Sequence, residues 1–209
     1  MIQNIVLDLG NVIINLDMPA TDRELRKLVP KDWLRLHERN QVKGTYHAFE
    51  TGKLSEREFL SSFQEGVDDA PDHYDLRAAW NAMLLDVPPK RIAMLEALAE
   101  IYDLYLLSNT NETHMDFIRE YLEREHGITD FDSYFEKAYY SQDIQRRKPD
   151  VATYEWVSRD AGIDPAATLF IDDNEQNIAG AQAAGWQVQH HPVGAEITDY
   201  IQQYIRQAG

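Results

Sequence analysis

Carboxylate, hydroxyl and amide side chains stand at the ends of three short apolar runs in this sequence. They are Asp8, the pair Ser108 and Asn109, and the pair Asp172 and Asp173. A cation, Lys148, stands in a fourth polar segment. Carboxylates are ligands that Mg²⁺ prefers, whereas hydroxyls, turn amides and ammonium groups bind phosphate oxygens. The set predicts phosphoryl chemistry in which one carboxylate remains as a nucleophile.

Each of these residues, taken alone, is more typical of ordinary structure. An Asp at the end of a strand commonly forms a turn or caps a helix. Ser108 and Asn109 have turn chemistry, and a Lys before Pro149 is typical of a solvated surface. It is the combination in one chain that favours a shared site.

The elements that must position these residues alternate between strands and helices. Apolar runs predict strands at Ile2–Leu9, Tyr102–Leu107, Thr168–Ile171 and Trp186–His190. Helical spacing predicts helices at Pro88–Ile101, Glu112–His126, Asp150–Ala161, Asn174–Ala184 and Ala195–Gln207. This alternation indicates an α/β fold with a Rossmann-like parallel sheet. Because ligands of such sheets lie beyond the carboxyl ends of the strands, the polar residues should converge there.

The segment between the first strand and the Pro88 helix is too long for one crossover. Its patterns predict only helices, at Thr21–Leu28, Lys31–Glu38, Tyr46–Thr51, Ser55–Gln64 and Tyr74–Leu85. We therefore expect two domains: a core of residues 1–16 and 86–209, and a small helical cap of residues 17–85 inserted after the first strand.

Composition narrows the possible functions. With 20 Lys and Arg against 36 Asp and Glu, the chain carries a net charge of −16, which disfavours nucleic acid and anionic membranes as partners. The same charge repels small anionic substrates unless a metal or a local cation compensates. The absence of Cys excludes disulfides, thiolate nucleophiles and Cys-based zinc sites. No apolar run approaches the ~20 residues of a membrane span, and no secretory signal is visible, so we expect a cytoplasmic protein.

Four motifs in order resemble those of the haloacid dehalogenase (HAD) superfamily across nearly the whole chain. They are IVLDLGNVI, LYLLSNTN, RRKPD and LFIDDNEQNI. Their form is most similar to the subgroup that contains alpha-D-glucose-1-phosphate phosphatase. The helical insertion lies where this superfamily places a C1-type cap.

The resemblance implies a role for each motif residue. Asp8 would attack phosphorus and form an aspartyl-phosphate, and Asp8, the Gly10 carbonyl and Asp173 would ligate Mg²⁺. Asp172 would orient a metal-bound water, and Asn177, one helical turn after Asp173, would face the same site without binding the metal. Ser108 and the Asn109 amide would hold the phosphoryl group, and Lys148 would bind phosphate and offset the carboxylates. The substrate would be a small phosphorylated metabolite, and the resemblance does not decide between a monomer and a homodimer.

Position 10 departs from the pattern of the superfamily's phosphatases, which usually carry a second Asp there as general acid and base. Gly10 cannot supply this proton transfer, which typically contributes ~10²–10⁴-fold. Three explanations remain open. The leaving group departs easily, as the anomeric oxygen of a sugar 1-phosphate would; a polar residue of the cap, such as His47, substitutes for the Asp; or the protein is a poor catalyst or a non-enzyme.

We therefore expect a Mg²⁺-dependent phosphatase of a small phosphate monoester, with two alternatives. One is a non-catalytic or weakly active binding protein, and the other is a 2-haloacid dehalogenase, which lacks the acidic pair seen here at Asp172 and Asp173. Trp33 and Trp80 are candidates to line a pocket in the cap. His190 and His191 point to opposite faces of a strand and are assigned no role.

Overall fold

Five short strands form one parallel sheet in the order β3-β2-β1-β4-β5. The computed structural model describes residues 1–208. The strands are β1 Asn4–Leu7, β2 Asp103–Ser108, β3 Lys137–Tyr140, β4 Thr168–Asp172 and β5 Gln187–His190. Four of them confirm the predicted strands within two residues at each end, and β3 was not predicted. Its sequence, KAYY, has an exposed first residue and no apolar run, so periodicity gives little signal for it.

The central strand β1 shows why the sheet forms. All four of its residues are buried, as is typical of a parallel strand covered on both faces. Successive side chains point to opposite faces, so Ile5 and Leu7 join one apolar cluster and Val6 joins the other. The two clusters hold helices against both sides of the sheet.

Eleven α-helices occur within residues 1–208. They are α1 Met18–Leu28, α2 Trp33–Val42, α3 Thr45–Glu50, α4 Glu56–Ser61, α5 His73–Asn81, α6 Pro89–Ala99, α7 Glu112–His126, α8 Ser141–Ile144, α9 Val151–Ala161, α10 Glu175–Ala183 and α11 Ile197–Ala208. All the predicted helices are present, with shifted ends. Helix α4 ends at Ser61 rather than Gln64 because turn residues follow it, and α5 ends at Asn81 rather than Leu85 because a turn and a bridge between Leu84 and Leu16 follow it. No helix within these residues has the length and apolar character needed to cross a membrane.

Helices α1–α5 have an apolar cluster of their own, separate from the two that flank the sheet. Its fully buried members include Leu25, Leu36, Phe49, Phe59 and Phe63. The segments that connect these helices to the sheet run side by side. The Asn15 amide donates to Asp86 O (2.9 Å), and the Asp17 amide donates to Met83 O (2.9 Å). This pairing lies close to the domain boundaries predicted at residues 17 and 85, which stay a prediction.

The cap also touches the core at the end of α3. Gly52 has a φ of +66°, and a Cβ there would collide with the carbonyl oxygen of Gln142 in α8. The Ser141 hydroxyl donates to the Glu50 carbonyl (2.6 Å) and receives a hydrogen bond from the Thr110 amide (2.9 Å). The loop after β2 is thereby tied to the last turn of α3.

Candidate active site

A buried lysine joins two carboxylates at the carboxyl edge of the sheet. Asp8 directly follows β1, and its amide donates to Ile171 O on β4 (2.9 Å). The Lys148 ammonium lies 2.6 Å from Asp8 Oδ1 and 2.6 Å from Asp172 Oδ2. Lys148 is only 1% exposed, so its charge is neutralised by these carboxylates rather than by water.

The carboxylate of Asp172 is saturated by protein donors. Besides Lys148, the Asn177 side-chain amide lies 3.0 Å from both of its oxygens, and the Asn174 backbone amide donates to Oδ1 (2.8 Å). Asp172 is fully buried. Asn177, one helical turn beyond Asp173, therefore faces this group of residues and contacts Asp172.

The neighbouring carboxylate, Asp173, is held by a residue that the sequence analysis did not single out. Asn11 donates from Nδ2 to Asp173 Oδ2 (2.7 Å), and its Oδ1 accepts from the Leu16 amide (3.2 Å). Asn11 has a φ of +54°, a left-handed conformation that Asn adopts more readily than most residues. His190, which was assigned no role, donates from Nε2 to the Asp173 carbonyl (2.9 Å). An Asn directly after Gly10 was the only available signal for this contact.

The donor set fits a divalent cation. One oxygen each of Asp8, Asp172 and Asp173 lies within 4.8 Å of the others. Among residues 1–208, Lys148 is the one cation bound to this trio, which leaves the cluster with an excess of negative charge when all three carboxylates are ionised. Mg²⁺ typically binds through one or two carboxylates and keeps several waters. Because Asp172 is saturated, Asp8 and Asp173 are the carboxylates best able to hold the ion.

The pKa shifts of these residues reflect both their burial and the excess of negative charge. Burial raises the pKa of Asp8 to about 7; Lys148 opposes this shift and Asp172 adds to it. Burial is also the main cause of the raised pKa of Asp173. For Lys148, burial favours the neutral form, but Asp172 and Asp8 outweigh it and raise the pKa. A bound cation would favour the ionised carboxylates.

The residues predicted to hold phosphate lie at the same edge. Ser108 ends β2 and is 3% exposed. The Asn109 side chain donates from Nδ2 to Lys148 O (2.9 Å) and accepts at Oδ1 from the Lys148 amide (2.9 Å). This reciprocal pair fixes the backbone of Lys148, a use of the Asn109 side chain that the sequence did not indicate.

A cavity of about 670 Å³ opens above this edge of the sheet. Most predicted site residues line it, namely Asp8, Gly10, Ser108, Asn109, Lys148, Asp173 and Asn177. Residues from the cap and its connecting segment close the other side, including Asp17, Met18, Glu50, Trp80 and Met83. The structure thus brings the four separate motifs together in one pocket, with Asp172 buried beneath it.

Two cap residues that the sequence suggested as site candidates, His47 and Trp33, do not line the cavity. His47 is exposed, accepts a hydrogen bond from Arg147 (3.4 Å), and is not among the cavity's lining residues. Trp33 is 4% exposed and packs in the cap's own core. Trp80 does line the cavity, so of the two candidate tryptophans one was correct.

Comparison with known proteins agrees with this architecture. The model of the haloacid dehalogenase-like hydrolase family matches residues 2–185. A D-ribitol-5-phosphate phosphatase from Bacteroides thetaiotaomicron is 29% identical over 199 residues, which cover 94% of this chain and 95% of that protein.

Solved structures show the same similarity. A HAD-family enzyme from Bacteroides thetaiotaomicron, in complex with magnesium and inorganic phosphate, is 32% identical with a TM-score of 0.85, and the match covers 95% of this chain and 98% of that one. A HAD-like family hydrolase from Porphyromonas gingivalis is 28% identical with a TM-score of 0.86, and the match covers 99% and 98% of the two chains.

Proposed function

We propose that this chain, which belongs to the haloacid dehalogenase-like hydrolase family, is a Mg²⁺-dependent phosphatase of a small sugar or sugar-alcohol phosphate. The observation that carries the proposal is the position of Asp8. Its carboxylate is fixed by Lys148 at 2.6 Å and lines a cavity shared with Ser108 and Asp173. The arrangement offers a nucleophile, phosphate ligands and metal ligands at one place.

The proposed reaction has two steps on this chain's own residues. A carboxylate oxygen of Asp8 attacks phosphorus, the bond from phosphorus to the leaving oxygen breaks, and an aspartyl-phosphate forms; the leaving oxygen departs as an oxyanion and then takes a proton from solvent. Water then attacks phosphorus and loses a proton to solvent, the bond to Asp8 breaks, and phosphate is released with the carboxylate restored. Lys148 and Ser108 hold phosphate oxygens through both steps.

Asp8, the Gly10 carbonyl and Asp173 are proposed to hold Mg²⁺. Asp172, which is bound to Lys148 and Asn177, would adjoin these ligands without binding the ion. When bound, the ion would offset the charge of the phosphoryl group and of the carboxylates. Support comes from the donor set described above and from the magnesium complex of a 32% identical relative. Asn11 belongs to the same proposal, since it orients the Asp173 carboxylate (2.7 Å).

Two observations bear on the leaving group. Gly10 provides no side chain to protonate the leaving oxygen, which favours an acidic leaving group such as the anomeric hydroxyl of a sugar 1-phosphate. The D-ribitol-5-phosphate phosphatase similarity instead favours the phosphate of a primary alcohol. We propose the sugar 1-phosphate as substrate, and the sugar-alcohol phosphate is the second candidate.

The nucleophile is tested by phosphate release over a panel of phosphorylated metabolites with and without Mg²⁺. Asp8→Asn should abolish turnover and leave the fold intact. Asp103→Asn, an exposed residue at the far end of β2, is the matched control and should retain wild-type rates. Retained activity in Asp8→Asn would disprove the nucleophile. Phosphate release from no compound, or release of halide from 2-haloacids, would favour the binding protein or the dehalogenase.

The leaving group is tested by a series of substrates of similar size. Without an acid at position 10, kcat/KM should fall steeply as the leaving-group pKa rises, because negative charge develops on the leaving oxygen. Sugar 1-phosphates should then be faster than sugar 6-phosphates. A flat series would mean that another group, or water, supplies the proton.

A further inference from the structure

Two acidic residues of the cap and its connecting segment line the cavity in addition to the carboxylates of the core. The charged residues that line the cavity are Asp8, Asp17, Glu50, Asp173 and Lys148. Asp8 and Asp173 lie at the phosphate end, so Asp17 and Glu50 remain for the part of a substrate that lies beneath the cap. In the part of the chain that the structure describes, Lys148 is the only cation of the lining, and both Asp8 and Asp172 already neutralise it.

Each of these two acids is paired with an arginine that does not line the cavity, so the carboxylate of each pair is the member that faces a bound substrate. Arg23 binds Asp17 at 2.7 Å, and Arg147 binds Glu50 at 3.1 Å. Asp17 precedes α1 on the segment that connects core and cap, whereas Glu50 is the last residue of α3. The two acids therefore reach the cavity from separate elements.

The wall formed by Trp80 and His114 adds no positive charge. Trp80 Nε1 donates to Asn111 Oδ1 (3.3 Å), Asn111 Nδ2 donates to His114 Nδ1 (3.2 Å), and His114 Nε2 donates to Trp80 O (3.3 Å). Burial lowers the pKa of His114 to about 4, so the ring is neutral near pH 7. The Trp80 and His114 rings are stacked with centroids 5.2 Å apart. This wall offers a flat, neutral surface whose polar atoms already have partners.

We propose that Asp17 and Glu50 are specificity-determining residues that exclude any substrate whose leaving group carries a second negative charge. The substrate class is then a monophosphate with an uncharged hydroxylated leaving group. Ionised carboxylates accept hydrogen bonds from hydroxyl groups but repel a carboxylate or a second phosphate. This inference rests on the proposed phosphatase function.

The test uses two pairs of substrates that differ by one charge in the leaving group. They are α-D-glucose 1-phosphate with α-D-glucuronate 1-phosphate, and sn-glycerol 3-phosphate with 3-phospho-D-glycerate. For every pair that is hydrolysed at saturating Mg²⁺, the uncharged member should have a kcat/KM at least about tenfold higher, because carboxylates in a partly hydrated cleft repel a second negative charge.

Variants of the two acids identify the cause of that ratio. Glu50→Gln and Asp17→Asn should each reduce the ratio at least about fivefold, mainly by raising kcat/KM for the charged member. Glu125→Gln, at the end of α7 with a half-exposed side chain paired to Arg124, is the control and should leave the ratio unchanged. Thermal unfolding confirms that each variant is folded, and two acids on separate elements keep the test valid if one variant is unstable.

The possible failures are distinguishable. Equal kcat/KM for both members in the wild type, or an unchanged ratio in both variants, would overturn the specificity role and leave the phosphatase intact. A ratio that falls equally in Glu125→Gln would mean that the net charge of the protein is responsible, which also overturns it. Hydrolysis of neither member of either pair, and of no other phosphate ester, would overturn the proposed function and the inference with it.

Discussion

At the scale of single residues, Lys148 provides the charge balance on which the site depends. It is a buried cation between Asp8 and Asp172, at 2.6 Å from each. Removing one member of a buried ion pair typically costs ~3–5 kcal/mol because a charge is left without a partner. The same group that would bind phosphate thus also permits two acidic side chains to share one cleft.

Asn11 is expected to control metal affinity. Asn11→Gly keeps the left-handed backbone possible but removes the hydrogen bond to Asp173 (2.7 Å). Loss of a group that orients a metal ligand typically weakens metal affinity ~10–100-fold, so the Mg²⁺ concentration for half-maximal activity should rise by about that factor. Asn15→Ala, which removes a hydrogen bond to Asp86 at 3.0 Å, is the control. An unchanged Mg²⁺ requirement in Asn11→Gly would contradict the assignment.

His114 should make folding stability depend on pH. Burial lowers its pKa to about 4 from the usual 6.5. As the pH falls through 6.5, the unfolded chain binds a proton at this residue that the folded chain does not bind until near pH 4. The free energy of unfolding should therefore fall, by about 2 kcal/mol from this residue between pH 7.5 and pH 5. Urea unfolding at both pH values measures the drop.

The comparison for this pH effect is between two histidine variants. His114→Gln should show a smaller drop in the free energy of unfolding than the wild type. The exposed His47 offers the matched variant His47→Gln, which should retain the wild-type drop. Equal drops in all three proteins would show that His114 does not remain neutral in the folded state.

At the scale of elements, close packing of α10 on the segment of Lys148 positions the site. A Cβ at Gly180 of α10 would collide with the carbonyl oxygen of Pro149 and would lie 2.9 Å from Tyr154 Cε2. The Tyr154 hydroxyl donates to the Asn177 carbonyl (2.8 Å), which joins α9 to the same turn of α10. The position of Lys148 therefore depends on how closely two helices pack.

Gly180→Ala should push α10 away from the segment that contains Lys148 and Pro149. Overpacking typically costs ~1–3 kcal/mol, and because the colliding atom belongs to the backbone, the segment that carries Lys148 must move. We expect a lower unfolding temperature together with a lower kcat, measured by thermal unfolding and steady-state kinetics. Ala179→Leu enlarges an exposed neighbour on the same helix and should change neither. If Gly180→Ala is destabilised but keeps the wild-type kcat, the packing of α10 on Pro149 does not position Lys148, and this prediction is wrong.

At the scale of the whole molecule, the net charge of −16 opposes the approach of an anionic substrate. Screening by salt weakens long-range repulsion, since the Debye length falls from ~30 Å at 0.01 M to ~8 Å at 0.15 M ionic strength. We expect kcat/KM for a phosphate monoester to rise a few-fold between about 10 and 150 mM KCl at constant free Mg²⁺. A steady fall with salt would show that the local field of the site governs association.

The sequence alone determined which residues are available and which strands carry them. Apolar runs identified four of the five strands, helical spacing identified the insertion, and the ordered motifs identified the family. Asp8, Ser108, Lys148 and Asp173 were predicted to meet because parallel strands end at a common edge, and they line one cavity. These inferences succeed because strands and helices follow from local sequence patterns. In a parallel sheet the carboxyl ends of all strands lie at the same edge, so residues that follow different strands are brought close together.

Which side chains meet across long sequence separations depends on how the folded elements pack. Asn11 reaches Asp173, Asn109 fixes the backbone of Lys148, and Glu50 rather than His47 lines the cavity. Strand β3 was missed because its four residues carry no periodic signal. His47 and Glu50 lie about one turn apart along α3, with Glu50 at its last position, so the way in which the cap packs on the core decides which of them reaches the cavity. The packing of the cap on the core is set by contacts such as that of Gly52 with Gln142. These residues are far apart in the chain, so the local pattern of residue types carries no information about their contact.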